Sequence, residues 1–157
     1  MNINTIYNHA LLAEAAYANL LDSTDNVTIT GSDDVITALK SNGFSETQEE
    51  EFVKDWEVVS HQANTASGFS ATLFKNKHTQ EYVFANRGTE GDVLGDIISA
   101  DILGISLGGI ANFQAIDMYR YFKKLSTPAG DSVNYSTLET EMIIGMNNRT
   151  LLNASRQ

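Results

Sequence analysis

The run Gly104-Ile105-Ser106-Leu107-Gly108-Gly109 carries the residue types with which a large class of hydrolases presents a nucleophilic serine. A G-x-S-x-G turn needs small residues because its serine sits in strained backbone, and the helix that follows favours developing negative charge at its N-terminus. This nominates Ser106 as nucleophile. In that class the acid and then the histidine follow the serine, yet the three histidines here, His9, His61 and His78, all precede it. Asp117, Asp131, Glu139 and Glu141 lie downstream and could serve as the acid. The base has to come from upstream, from His61 on a strand or His9 on the first helix.

The elements that must hold these residues are legible from periodicity. Ile6, Ala10, Leu11, Ala13, Tyr17, Leu20 and Leu21 recur at helical spacing and predict a helix over Thr5 to Leu21. Asp22 to Asp33 is loop, with a brief strand at most over Val27 to Thr30. Two short helices follow, from about Asp34 to Ser41, stopped by Asn42-Gly43, and from the capping-box pattern Ser45-Glu46-Thr47-Gln48. Glu46, Glu49, Glu50 and Glu51 complement that helix's dipole and need no metal to explain them. Strands are predicted over Trp56 to His61, Phe69 to Lys75 and Glu81 to Asn86, the last two as a hairpin. His78 then falls at a polar turn tip, exposed to water.

Val93 to Ile105 is apolar. A long helix is expected from about Gly109 to Leu125, with Gln114, Asp117, Arg120 and Lys124 as its polar stripe. Ile110, Phe113, Ile116, Tyr119 and Phe122 form its buried face. Ser126 to Asp131 breaks the helix, and Ser132 to Gln157 is a weaker helical or mixed segment.

At 157 residues, 42% of them hydrophobic, with one proline and no cysteine, the chain predicts a single globular domain over 1–157 without disulfides or thiolate metal sites. Twenty acidic against ten basic residues give a formal charge of -10, which repels phosphate backbones and anionic headgroups. Nucleic acid is thus not an expected partner, and a small apolar ester or lipid is. The N-terminus has no basic region, and Glu14 and Asn19 interrupt the apolar stretch Ala10 to Leu21, so neither a signal peptide nor a membrane span is expected. The expectation is a soluble protein.

Tyr82-Val83-Phe84-Ala85-Asn86-Arg87-Gly88-Thr89 resembles the class 3 lipases, in which a hairpin strand runs into an R-G-T or R-G-S turn. The resemblance extends over roughly Ile6 to Asp131. It takes in Asp92 to Asp101, the helix opening Ala111-Asn112-Phe113-Gln114-Ala115 and Met118-Tyr119-Arg120-Tyr121-Phe122, which look like the family's bacterial branch. It implies that Thr89 helps form the oxyanion hole, where a hydroxyl and backbone N–H groups donate to a tetrahedral intermediate. It also implies a partial, truncated α/β-hydrolase-like α/β domain with a β-hairpin and flanking helices. The family's nucleophile motif, usually G-H-S-L-G-G, follows the long helix, whereas Ser106 precedes it and has Ile105 where the family has histidine. On this reading the C-terminal half of the family fold lies beyond Gln157.

The expected function is carboxylic-ester hydrolysis, lactones included, with Ser106 as nucleophile and Thr89 in the oxyanion hole, and no required cofactor. One alternative is a non-catalytic lipase-like module that forms a homodimer. Another is a calcium-assisted hydrolase with Asp92, Asp96 and Asp101 near the ion. The sequence leaves the location open, with bacterial cytoplasm and non-classical secretion both compatible with it.

Overall fold

A computed structural model describes residues 3–87 and 110–135. Among these there are four helices and one three-stranded antiparallel sheet, a small mixed α/β fold: α1 (Ile3–Ala15), α2 (Ser32–Ser41), α3 (Glu46–Asp55), β1 (Trp56–Gln62), β2 (Ala71–Asn76), β3 (Tyr82–Asn86) and α4 (Ile110–Ser126). The chain divides into two compact units. One comprises Met1–Asn64 with Ser70–Gly88, and the other Thr65–Phe69 with Thr89–Gln157.

In the first unit α1 is shorter than its apolar periodicity predicts. The N–H groups of Tyr17 and Ala18 bond three residues back, to Glu14 and Ala15, which tightens and ends the helix. Leu20 and Leu21 are then extended: Leu21 bridges Thr28, and the N–H groups of Asp22 and Ile29 donate to Val27 and Leu20. Leu20 is nevertheless fully buried. Its hydrophobicity is used by the core from a narrow hairpin, which periodicity alone cannot distinguish from helix. The 22–27 loop is closed by Asp22 and Asp25 carboxylates accepting from the Thr24 and Val27 N–H groups.

The boundaries of α2 and α3 follow local chemistry. The stop at Asn42-Gly43 holds: Gly43 has φ +94°, where a side chain is strained, and the Gly43 and Phe44 N–H groups return to the Lys40 and Leu39 carbonyls. Ser45 accepts from the Gln48 N–H while the Gln48 side chain accepts from Ser45 N–H, the reciprocal capping box read from the sequence. Ser45→Ala is expected to cost about 1 kcal/mol, read as a lowered urea midpoint at constant m-value. Of the four glutamates at the start of α3, Glu49 turns inward and is buried, and Glu51 accepts a 2.7 Å bond from the Tyr7 hydroxyl.

The sheet order is β1-β2-β3, with β2 central. Its hairpin turn is built by Asn76, whose side-chain oxygen accepts from the His78 and Thr79 N–H groups. The turn also grips the end of α3. Lys77 donates from its backbone to Asp55 and from Nζ to the Val53 carbonyl, and His78 Nε2 lies 3.0 Å from Asp55 Oδ1. The Lys77 ammonium at the C-terminus of α3 complements the helix dipole. His78 is exposed as expected, and its contact is with a helix end.

Leu11, Leu12, Leu20, Leu39, Phe52 and Phe74 are central members of the core of this unit, with Val83 and Ala85 of β3 packed against it. One irregularity decides which residues of β1 share that side of the sheet. Val58 pairs with Phe74 but Ser60 pairs with Leu73, so Val59 is an extra, bulged residue. Straight alternation from Trp56 and Val58 would put Ser60 on the core face and His61 opposite. The bulge reverses the parity and sets His61 beside its cross-strand partner Thr72.

In the second unit, the described parts are the loop Thr65–Phe69 and α4. Ile116 is buried, as its periodicity predicts, but Phe122 is exposed and Tyr121 is buried in its place. Tyr121 packs edge-on against Phe69 with ring centroids 6.3 Å apart. The aromatic contact selects a buried stripe rotated by one residue from the one that hydrophobicity suggests.

Candidate functional site

The sheet brings His61, one of the two histidines nominated as the base, into a structured polar cluster. His61, half-buried on β1, places Nδ1 2.8 Å from the hydroxyl of Thr72 on β2, and its backbone N–H donates to the Thr28 hydroxyl at 3.0 Å. Thr72 is fully buried, so its hydroxyl has exchanged water for the imidazole. Arg87 follows β3 directly, and its N–H donates to the Ser70 carbonyl at 2.9 Å. Ser70 in turn donates its hydroxyl to the Gln62 carbonyl, so β1, β2 and the exit of β3 are tied together at this end of the sheet.

Electrostatics fix the state of the ring. Burial, with a smaller push from the Arg87 guanidinium, lowers the His61 imidazole to about 4. It is therefore neutral at physiological pH, and the nearby cation opposes the imidazolium that a general base must become. His61 is held in place as a neutral hydrogen-bonding group.

The remaining nominated residues are not gathered there. His9 is exposed on α1, and His78 is engaged with Asp55 at the hairpin tip. Ser106, Thr89, Asp92, Asp96, Asp101, Glu139 and Glu141 lie outside the described residues. Asp131 is exposed, its N–H bonded to the Pro128 carbonyl. Asp117, read from the sequence as part of a solvent-facing stripe, instead accepts a 2.7 Å hydrogen bond from Ser67 and lies 3.6 Å from Arg120.

Thr28, Thr72 and Ser67 were not singled out by their types or spacing. The signals that place them are a bulge at Val59 and a helix-loop contact across 50 residues, and neither leaves a local pattern. Among the described residues, no group of three or more His, Cys, Asp or Glu side chains is arranged to hold a metal ion, and no helix is long and apolar enough to cross a membrane. No protein-family model, curated protein or solved structure matches the chain.

Proposed function

We propose that the chain is a carboxylic-ester hydrolase of the lipase kind, with Ser106 as nucleophile and Thr89 as an oxyanion donor. The observation that carries this reading is the antiparallel β2-β3 hairpin, whose second strand, Tyr82–Asn86, is followed in the sequence by Arg87-Gly88-Thr89. Resemblance to class 3 lipases asks for that arrangement, and the bond from Arg87 to Ser70 anchors the strand exit. A chain charge of -10 favours neutral, apolar esters over anionic ones.

In this mechanism the Ser106 oxygen adds to the ester carbonyl carbon, and the Thr89 hydroxyl and neighbouring N–H groups stabilise the oxyanion. The proton lost by the serine ends on the departing alkoxide, which leaves as the alcohol, and water then hydrolyses the acyl-serine. Ser106→Ala is expected to abolish p-nitrophenyl butyrate hydrolysis at unchanged melting temperature, and Thr89→Ala to lower kcat about 10²-fold, the usual effect of removing one oxyanion donor. Equal turnover by Ser106→Ala would reject the serine assignment.

A second reading, a non-catalytic lipase-like module, is favoured by the state of His61. His61 is set by burial and by Arg87 at the exit of β3 against taking a proton. On that reading the purified chain turns over no ester, and light scattering finds a dimer.

A further inference from the structure

An imidazole set against protonation is a poor base, but it makes a fixed hydrogen-bond donor when its proton is held on one nitrogen. The contacts of His61 fix which nitrogen that is. Its Nδ1 lies 2.8 Å from the hydroxyl of Thr72, which is fully buried. A proton on Nδ1 would make Thr72 the acceptor, and its own hydroxyl hydrogen would then be buried with nothing to accept it among the described residues. Thr72 is therefore the donor and Nδ1 the acceptor, so the ring carries its proton on Nε2.

The sheet holds that nitrogen in one place. The extra residue at Val59 turns His61 to the side of Thr72, and the His61 backbone N–H donates to the Thr28 hydroxyl at 3.0 Å. Among the described residues, the buried side-chain nitrogens and oxygens without a partner are Glu49 Oε1 and Trp56 Nε1. His61 Nε2 has no hydrogen-bond partner among these residues and yet is not one of those two atoms, so it meets solvent at the edge of a half-buried ring. By contrast, Nε2 of His78 is engaged with Asp55. Burial, with a smaller push from the Arg87 guanidinium, lowers the His61 imidazole to about 4, so it keeps a single N–H at physiological pH. A preorganised, partly dehydrated donor of this kind stabilises charge that develops on a carbonyl oxygen.

We infer that His61 is a further catalytic residue of ester hydrolysis, a neutral donor whose Nε2–H hydrogen-bonds the carbonyl oxygen of the ester. The inference rests on the ester-hydrolase reading and keeps Ser106 as its nucleophile. Thr89, the donor already assigned, follows Arg87 by two residues in the sequence. As the nucleophile oxygen bonds to the carbonyl carbon, the carbonyl π pair moves onto oxygen and the bond from Nε2–H strengthens. When the oxyanion collapses and the alkoxide departs, that bond relaxes, and the proton never leaves His61. The neutrality that counts against His61 as a base is what this role requires.

The experiment follows the His61 imidazole of the wild-type chain by proton–nitrogen correlation spectroscopy, alone and with butaneboronic acid, whose serine adduct carries a tetrahedral oxygen. Beside it, p-nitrophenyl butyrate kinetics are run on wild type, His61→Leu and His61→Gln, each with its melting temperature. Expected are a proton on Nε2, a shift of its resonance with the boronic acid, and kcat lowered about 10²-fold in His61→Leu. His61→Gln, whose amide keeps an acceptor for Thr72 and a donor, should recover part of that loss. Its pH profile should have the shape of the wild-type one, with no inflection near 6.5 that depends on His61. A proton on Nδ1, a resonance left unmoved in a chain that turns over ester, or wild-type kcat in a folded His61→Leu overturns the donor and leaves ester hydrolysis standing. No turnover by the wild-type chain overturns both. If His61→Leu fails to fold, the wild-type resonance still decides.

Discussion

Phe74→Ala is expected to lower the free energy of unfolding by roughly 3–5 kcal/mol, the largest effect of any single truncation proposed here. Phe74 is fully buried on β2, the central strand, and meets the equally buried Phe52 of α3 edge-to-face with centroids 5.5 Å apart. Removing its ring loses the transfer free energy of the side chain. It also opens a cavity that the strands on either side of β2 cannot close without breaking their ladders, and it forfeits the aromatic pair. A domain of this size is stable by only about 5–15 kcal/mol, so a third or more of the margin is at stake. Urea denaturation should show a large fall in midpoint with little change in slope, and Phe74→Leu should recover most of the loss. A midpoint within experimental error of wild type would mean that the helix-sheet core is not assembled as described.

The second large effect is acid destabilisation through His61. Its folded value of about 4 lies below the ordinary histidine value of 6.5 because burial and Arg87 disfavour the cation. The unfolded chain therefore binds up to about one more proton at this site between those two values, and stability rises with pH across that window. The contribution is fully present above about 6.5 and is lost as pH falls toward 4. Among the described residues Thr72 and Arg87, the groups that act on the ring, offer no carboxylate to offset the imidazolium. Melting temperatures of wild type and His61→Gln from pH 4 to 7.5 should keep a constant gap above 6.5. Below it, wild type should lose ground to the variant. Carboxylate titration is common to both proteins and cancels in the comparison, so parallel curves would contradict the buried, neutral His61.

Much of the first unit is legible in the sequence because its signals are local. The capping box at Ser45, the stop at Asn42-Gly43 and the polar turn at Asn76 each satisfy nearby backbone groups, so residue type predicts geometry. Helical spacing at Leu20 and Leu21 does not make them helical, because the same hydrophobic residues reach burial by a different backbone route. His61 was legible as a strand residue but not as a core-side one, since the bulge at Val59 that decides its face lies in an unremarkable Val-Val-Ser run. Asp117 looked like one member of a solvated stripe, and only the docking of a loop 50 positions away gave it a partner. The candidate site was thus readable as a list of reactive residue types. Which of them meet is set by long-range pairing, which sequence spacing does not encode.

Ester hydrolysis by a serine is tested most directly by intact-mass analysis of the folded wild-type chain after exposure to a fluorophosphonate, with p-nitrophenyl butyrate turnover measured on the same sample. The predicted result is one adduct per chain, formed in step with complete loss of turnover and absent after heat denaturation. A chain that acquires no adduct and hydrolyses no ester while retaining its native melting temperature would contradict it.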